Sequence, residues 1–506
     1  MRYFMRQVVP EMETGLNIQD HEIEDAERLL LPQGETFDEQ RRAVIRCLST
    51  VDIQACPGSG KTTALLAKLL ILSRKLPLKS NKGLCVLTHT NVAVEEIRGR
   101  LKGETGILFQ YPNHFGTIQS FVNKFLAIPA YIDMFGKRPT RIDDESYNEY
   151  TSRKVRQLPY GTKLWLERNR VSVCDLRHTL DDVGIIGKTI HGPIFLGAHT
   201  ETYQRIKRLK DDVMNEGILC YDDAYVLATW YLRKYPEIKE VFSERFQFVF
   251  IDEMQDTNNT QQCILNLIFD YTKLAVQKIG DTNQSIFEST SDMAWQVSEG
   301  CLQITNSKRF SQVIAQRVKN ICITPQDLRG NDSIPDIPPK LIVFEDSSIL
   351  GVIPKFGDLI LDNGLEGVGR RIYKAVGWVG QLNAHHTIPS YFPSYDLQVR
   401  RGNKEFNYLK DYLLATREYT DNDSISELRM LLVSGILKTV RLLGIKKHNG
   451  THYVESSFFD YLRKDHGELC EKIKLKILQW CDQLYRSEDI FDDVKDFIVT
   501  ELTAQL

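Results

Sequence analysis

The 506-residue sequence predicts an α/β fold built on a parallel sheet with helices on both faces, and three observations carry that reading. Short β-rich runs recur at 51–55 (VDIQA), 84–88 (LCVLT), 248–252 (FVFID) and 275–280 (AVQKIG). The segments between them have helical periodicity. The runs themselves are largely unbroken in apolar character, which suits strands covered on both faces.

Taken in order, residues 1–35 read as a polar, acidic helical extension containing the amphipathic stretch HEIEDAERLL. Residues 36–121 and 222–322 form the sheet domain. Between them, at 122–221, strand signals disappear and stretches such as TETYQRIKRLKDDVMNEG indicate a helical insertion, with Arg205, Lys207, Arg208 and Lys210 on a polar face. The proline-containing segment 323–340 reads as a linker. LIVFE and DLIL then suggest strands of a second, incomplete α/β domain at 341–405, followed by a helical region at 406–506. A chain this long exceeds what one core usually organises.

Composition excludes several classes. No apolar run is long enough for a membrane span, and the N-terminus lacks the apolar core of an export signal, so a cytoplasmic protein without membrane partners is expected. The ten cysteines include no CxxC pair, which argues for reduced thiols and against zinc or iron–sulfur sites. With 64 basic and 67 acidic residues there is no global positive field, so any nucleic-acid contact must be local.

Two segments carry chemistry. Ala55-Cys56-Pro57-Gly58-Ser59-Gly60-Lys61-Thr62-Thr63 lies between a strand and a helix, the context of a phosphate-binding loop. In such a loop Pro57, Gly58, Ser59, Gly60 and Thr63 line the phosphates, Lys61 meets the β and γ phosphates, and Thr62 binds Mg²⁺. The second segment is the run ending in Asp252-Glu253. Asp252 is placed to hold Mg²⁺, and Glu253 to orient and deprotonate an attacking water.

In order and identity, these and five further segments resemble the UvrD/Rep-like superfamily 1 helicases over roughly residues 36–311. The resemblance implies a RecA-like fold, ATP with Mg²⁺ as cofactors, single-stranded DNA as partner and 3′ to 5′ movement. Thr36-Phe37-Asp38-Glu39-Gln40 is similar to the family's Q motif, which implies that Gln40 reads the adenine edge. Thr88-His89-Thr90-Asn91 and Gly116-Thr117-Ile118-Gln119-Ser120-Phe121 resemble motifs Ia and Ib, implying DNA contacts from Thr88, Thr90, Asn91, Thr117, Ser120 and Phe121. Gly280-Asp281-Thr282-Asn283-Gln284-Ser285-Ile286-Phe287 resembles motif III, with Gln284 sensing the γ-phosphate and Phe287 stacking on a base. Asn306-Ser307-Lys308-Arg309 resembles motif IV, with Arg309 reaching the γ-phosphate. Lys308 stands where the family has an adenine-stacking aromatic.

No segment resembling the family's motifs V or VI follows Arg309. The reading is therefore either a shortened helicase or a helicase-like subunit completed by another chain, with weakened hydrolysis in both cases. A nuclease subunit, as in Gabija-type antiphage systems, is an expected partner; DNA repair is the other expected setting. The competing class is an adaptor that uses ATP only as a clamp.

Overall fold

The computed structural model describes residues 16–503 except 79, 91–93, 95, 96, 98, 100–105, 179–184, 190, 191, 195, 196, 198, 286–294, 367–372, 378–385, 396–408, 414–424, 448–451, 454, 486 and 487. The chain divides into two compact units, Met1–Pro339 and Lys340–Leu506.

The first unit opens with α1 (Asp20–Leu30) and α2 (Glu39–Arg46), followed by β1 (Val51–Ala55), α3 (Lys61–Ser73), β2 (Gly83–Thr88), β3 (His114–Thr117) and α4 (Ile118–Val122). After an intervening region the chain returns through α9 (Tyr221–Lys234), α10 (Ile238–Arg245), β9 (Phe246–Ile251), α11 (Asn259–Ile268), β10 (Ala275–Gly280), β11 (Leu302–Ile304) and α12 (Gln312–Lys319). Six strands form one sheet in the order β11-β1-β10-β9-β2-β3. Every pairing in it is parallel. Alternate side chains supply two cores, because strand side chains point to opposite faces. Leu84, Val86, Phe248 and Phe250 pack with α1, α2 and α3 on one side. Cys85, Leu87, Val249 and Ile251 pack with α4, α9, α10 and α11 on the other. The expected parallel α/β sheet is present, in a RecA-like arrangement.

α3 is buried along most of its length and carries Lys68, which is 1% exposed. Its ammonium donates to the Cys47 carbonyl at 2.8 Å and to Gln277 Oε1 at 2.5 Å. Burial pushes this lysine down to about 7.

The region between α4 and α9 holds the expected helical insertion, to which the structure adds short strands that the sequence did not signal. It holds the helices α5 (Ile128–Phe135), α6 (Asp144–Val155), α7 (Tyr160–Arg168) and α8 (Glu201–Asn215), together with five short strands. β4 (Arg141–Ile142) pairs in parallel with β8 (Ile218–Leu219). β5 (Leu176–His178), β6 (Ile185–Thr189) and β7 (Gly192–Ile194) form an antiparallel sheet. Lys210, expected on a solvated face of α8, is 1% exposed and donates to the Leu176 carbonyl at 2.6 Å.

The described part of the second unit is helical, with α13 (Val352–Asp362), α14 (Ile388–Tyr391), α15 (Ile425–Leu442), α16 (Glu455–Asp465), α17 (Gly467–Tyr485) and α18 (Phe491–Phe497). The expected strand LIVFE is irregular and DLIL lies inside α13. DLIL follows Ile353 and Phe356 at helical spacing, so an apolar helix face was read as a strand. The core of this unit includes the fully buried Trp480 together with Leu428, Ile436, Phe458, Leu462 and Ile473. The Trp480 indole donates to Asp493 at 2.7 Å. No helix among the described residues is long and apolar enough to cross a membrane.

Candidate nucleotide site

β1 ends at Ala55, and the chain turns through Cys56–Gly60 into α3. Gly58 and Gly60 both have φ of 70°, a left-handed backbone that glycine adopts without steric cost. The turn thereby brings backbone N–H groups and the N-terminus of a 13-residue helix to one place, as phosphate binding requires. The Ser59 hydroxyl is buried and has no hydrogen-bond partner among the described residues. Cys56 is also buried, which pushes its thiol up to about 12.

Strands β1, β9 and β10 all end on this side of the sheet, so the C-terminal ends of three parallel strands meet at the loop. From β9, Asp252 is 2% exposed; its N–H donates to the Leu87 carbonyl at 2.8 Å, and its Oδ1 accepts from Glu253 N at 3.0 Å. Glu253 has φ of 54°, in the left-handed region that a non-glycine residue rarely adopts. Lys61 Nζ donates to Glu253 Oε2 at 2.5 Å, joining two residues 192 positions apart. Burial raises the Glu253 carboxyl, but the charge and hydrogen bond of Lys61 and the amide of Gln255 outweigh it and hold the group below its ordinary value. From β10, Asp281 is fully buried, and that burial holds its carboxyl above the ordinary range.

A third wall follows β11. Cys56 N donates to Ile304 O at 2.9 Å, Lys308 N to Gly58 O at 2.8 Å and Ser307 Oγ to Pro57 O at 2.9 Å. A Cβ on Gly58 would stand 2.5 Å from Arg309 Cβ, so glycine there also permits the approach of the arginine's loop. Arg309 is exposed, with its backbone tied to Ser307 Oγ at 3.2 Å.

Gln40, on α2, donates to Thr305 Oγ1 at 3.0 Å and accepts from Thr305 N at 2.9 Å. Beside it, the buried Arg41 donates to the Ser59 carbonyl from Nε (2.8 Å) and Nη2 (2.6 Å), and to the Asn306 carbonyl at 2.7 Å. It also pairs with Asp38. Arg41 therefore ties the phosphate loop to the Arg309 loop. Nothing in the sequence separates it from Arg42, so sequence reasoning passed over it. The same is true of Gln255, whose amide contacts Glu253, and of Asp281.

The remaining expected residues lie further along the sheet edge. Thr88 is buried, its hydroxyl donating to Thr90 O at 3.0 Å, and Thr90 is exposed. Thr117 caps α4 by accepting from Ser120 N at 3.0 Å, leaving Ser120 exposed. Phe121 is not on the surface. It is fully buried against His114, Phe125, Phe242, Phe246 and Phe269, so the DNA contact expected of its ring is corrected to a core role. Gln284 is partly exposed in a turn closed by its N–H on Asp281 O at 3.0 Å. Asn91 and Phe287 lie outside the described residues.

The family profile described as UvrD/REP helicase N-terminal domain matches residues 37–290, half of the chain. The chain belongs to the UvrD/REP helicase family. Among relatives of this UvrD/REP chain, DNA helicase II of Escherichia coli is 24% identical over 274 residues, covering 54% of this chain and 36% of the relative. UvrD1 of Mycobacterium tuberculosis is 26% identical over 270 residues, 49% of this chain and 33% of its own length. The Gabija protein GajB of Bacillus cereus is 21% identical over 276 residues, 46% of this chain and 40% of its own. The matches thus span between a third and two fifths of these relatives.

Proposed function

We propose that this chain is an ATP-dependent DNA motor that hydrolyses ATP with Mg²⁺ and moves 3′ to 5′ on single-stranded DNA. The observation that carries the reading is the Lys61–Glu253 contact, which brings the phosphate loop and a strand-end carboxylate into one pocket beside the loop of Arg309. Thr62 and Asp252 are the residues to hold Mg²⁺, which favours one or two protein ligands together with substrate phosphates. When bound, the ion neutralises charge that develops on the transferring phosphoryl group.

In this proposal Lys61 turns from Glu253 to the phosphates, and Glu253, ionised at neutral pH, accepts a proton from the attacking water. Gln284 senses the γ-phosphate and Arg309 compensates its negative charge. Gln40 reads adenine, in exchange for its bonds to Thr305. Thr88, Thr90, Asn91, Thr117, Ser120 and Phe287 mark the path proposed for the DNA, and the exposed Thr90 and Ser120 are the described members best placed to meet phosphates. The similarity to GajB supports antiphage defence with a nuclease partner as a setting, beside DNA repair.

Phosphate release measured with and without single-stranded DNA tests the reading. Stimulation by DNA is expected, with Lys61→Ala losing nucleotide binding and Glu253→Gln keeping binding but losing turnover by about a hundredfold or more. Nucleotide binding without any stimulation by DNA would replace the motor with the clamp-like adaptor.

A further inference from the structure

We propose that Gln255 is a positioning residue for Glu253 and links that carboxylate to the β10 end of the site. The proposal rests on the reading of Glu253 as the group that accepts the water's proton. Gln255 Nε2 donates to Glu253 Oε2 at 2.6 Å, and Gln255 Oε1 accepts from Asp281 N at 3.0 Å. One amide thus spans the turn after β9 and the turn after β10. Its orientation is dictated by its neighbours, since a flipped amide would set its oxygen against a carboxylate and its NH₂ against an N–H. The fit is close. A Cβ on Gly280 would lie 2.5 Å from Gln255 Oε1, so a glycine at the end of β10 is what admits the amide.

Lys61 and Gln255 both bond the same oxygen, Oε2. If Lys61 is drawn to phosphate, Gln255 is the bond that keeps Oε2 oriented, and Oε1, which takes neither bond, is the oxygen that faces the water. Removing Gln255 frees the carboxylate to rotate, a loss felt in the chemical step more than in triphosphate binding.

The test measures phosphate release by the full chain with single-stranded DNA, together with binding of a fluorescent ATP analogue. For Gln255→Leu, we expect kcat to fall about tenfold or more with the analogue's Kd changed less than about twofold. For Gln255→Glu, which keeps an acceptor for Asp281 N but loses the amide donor to Glu253, we expect kcat to fall likewise with the analogue's Kd held. Parent kcat in both variants, alongside a Glu253→Gln variant that has lost turnover, would overturn this proposal alone. A parent that releases no phosphate, or a Glu253→Gln variant as fast as the parent, would overturn the reading of Glu253 and this proposal with it.

Discussion

Lys68 shows how a single side chain can make the stability of the nucleotide domain depend on pH. It sits in α3 directly behind the phosphate loop, and its ammonium is held by the Cys47 carbonyl and Gln277. Burial takes it from an ordinary value of 10.5 to about 7, so between these values the unfolded chain binds a proton that the folded chain does not. Its contribution therefore rises with pH across that interval. Compared with a Lys68→Met variant, the parent is expected to gain stability on the order of a few kcal/mol between pH 7 and 10. Denaturant unfolding of both proteins at several pH values checks this. A constant difference would show that Lys68 does not titrate in that window.

At the scale of elements, Phe121 defines what holds α4 to the sheet. Its ring lies among five other rings, with centroids between 4.8 and 6.5 Å away. Phe121→Ala is expected to cost about 3–5 kcal/mol through the cavity it leaves, and denaturant unfolding measures it. A change confined to DNA affinity, with stability intact, would restore a surface role for the ring. This residue also shows where sequence reading stops. Motif likeness set Phe121 on the DNA, whereas the apolar Ile118, Phe121 and Val122 at helical spacing already described a buried face. β1, β2, β9 and β10 were readable because runs of five or six apolar-rich residues are long enough to carry a pattern, whereas β3 and β11, at four and three residues, were not. β4, β5, β7 and β8, at two or three residues, are too short for alternation to show. Lys61, Asp252 and Glu253 were readable because a loop and a strand end announce themselves locally. Arg41 gains meaning from Ser59 and Asn306, and Gln255 and Asp281 from each other across 26 positions.

For the whole molecule, the decisive fact is that each unit carries its own core. The core of the second unit contains Trp480, fully buried, and its indole hydrogen bond helps hold the Asp493 carboxyl below its ordinary value. Trp480→Ala is expected to weaken that unit by about 3–5 kcal/mol while nucleotide binding by the first persists. Unfolding followed by circular dichroism, with binding of a fluorescent nucleotide in parallel, tests it. Simultaneous loss of both would mean that the two cores form one cooperative block.

The burial of Cys56 has a practical consequence. Thiols react with maleimides and peroxides as thiolates, and a group pushed up to about 12 inside the phosphate loop supplies almost none at neutral pH. Cys263, on α11, is exposed. Cys47, Cys174, Cys301 and Cys322 are partly exposed, so a dye coupled under mild conditions is expected on these and on Cys263 while sparing the nucleotide loop.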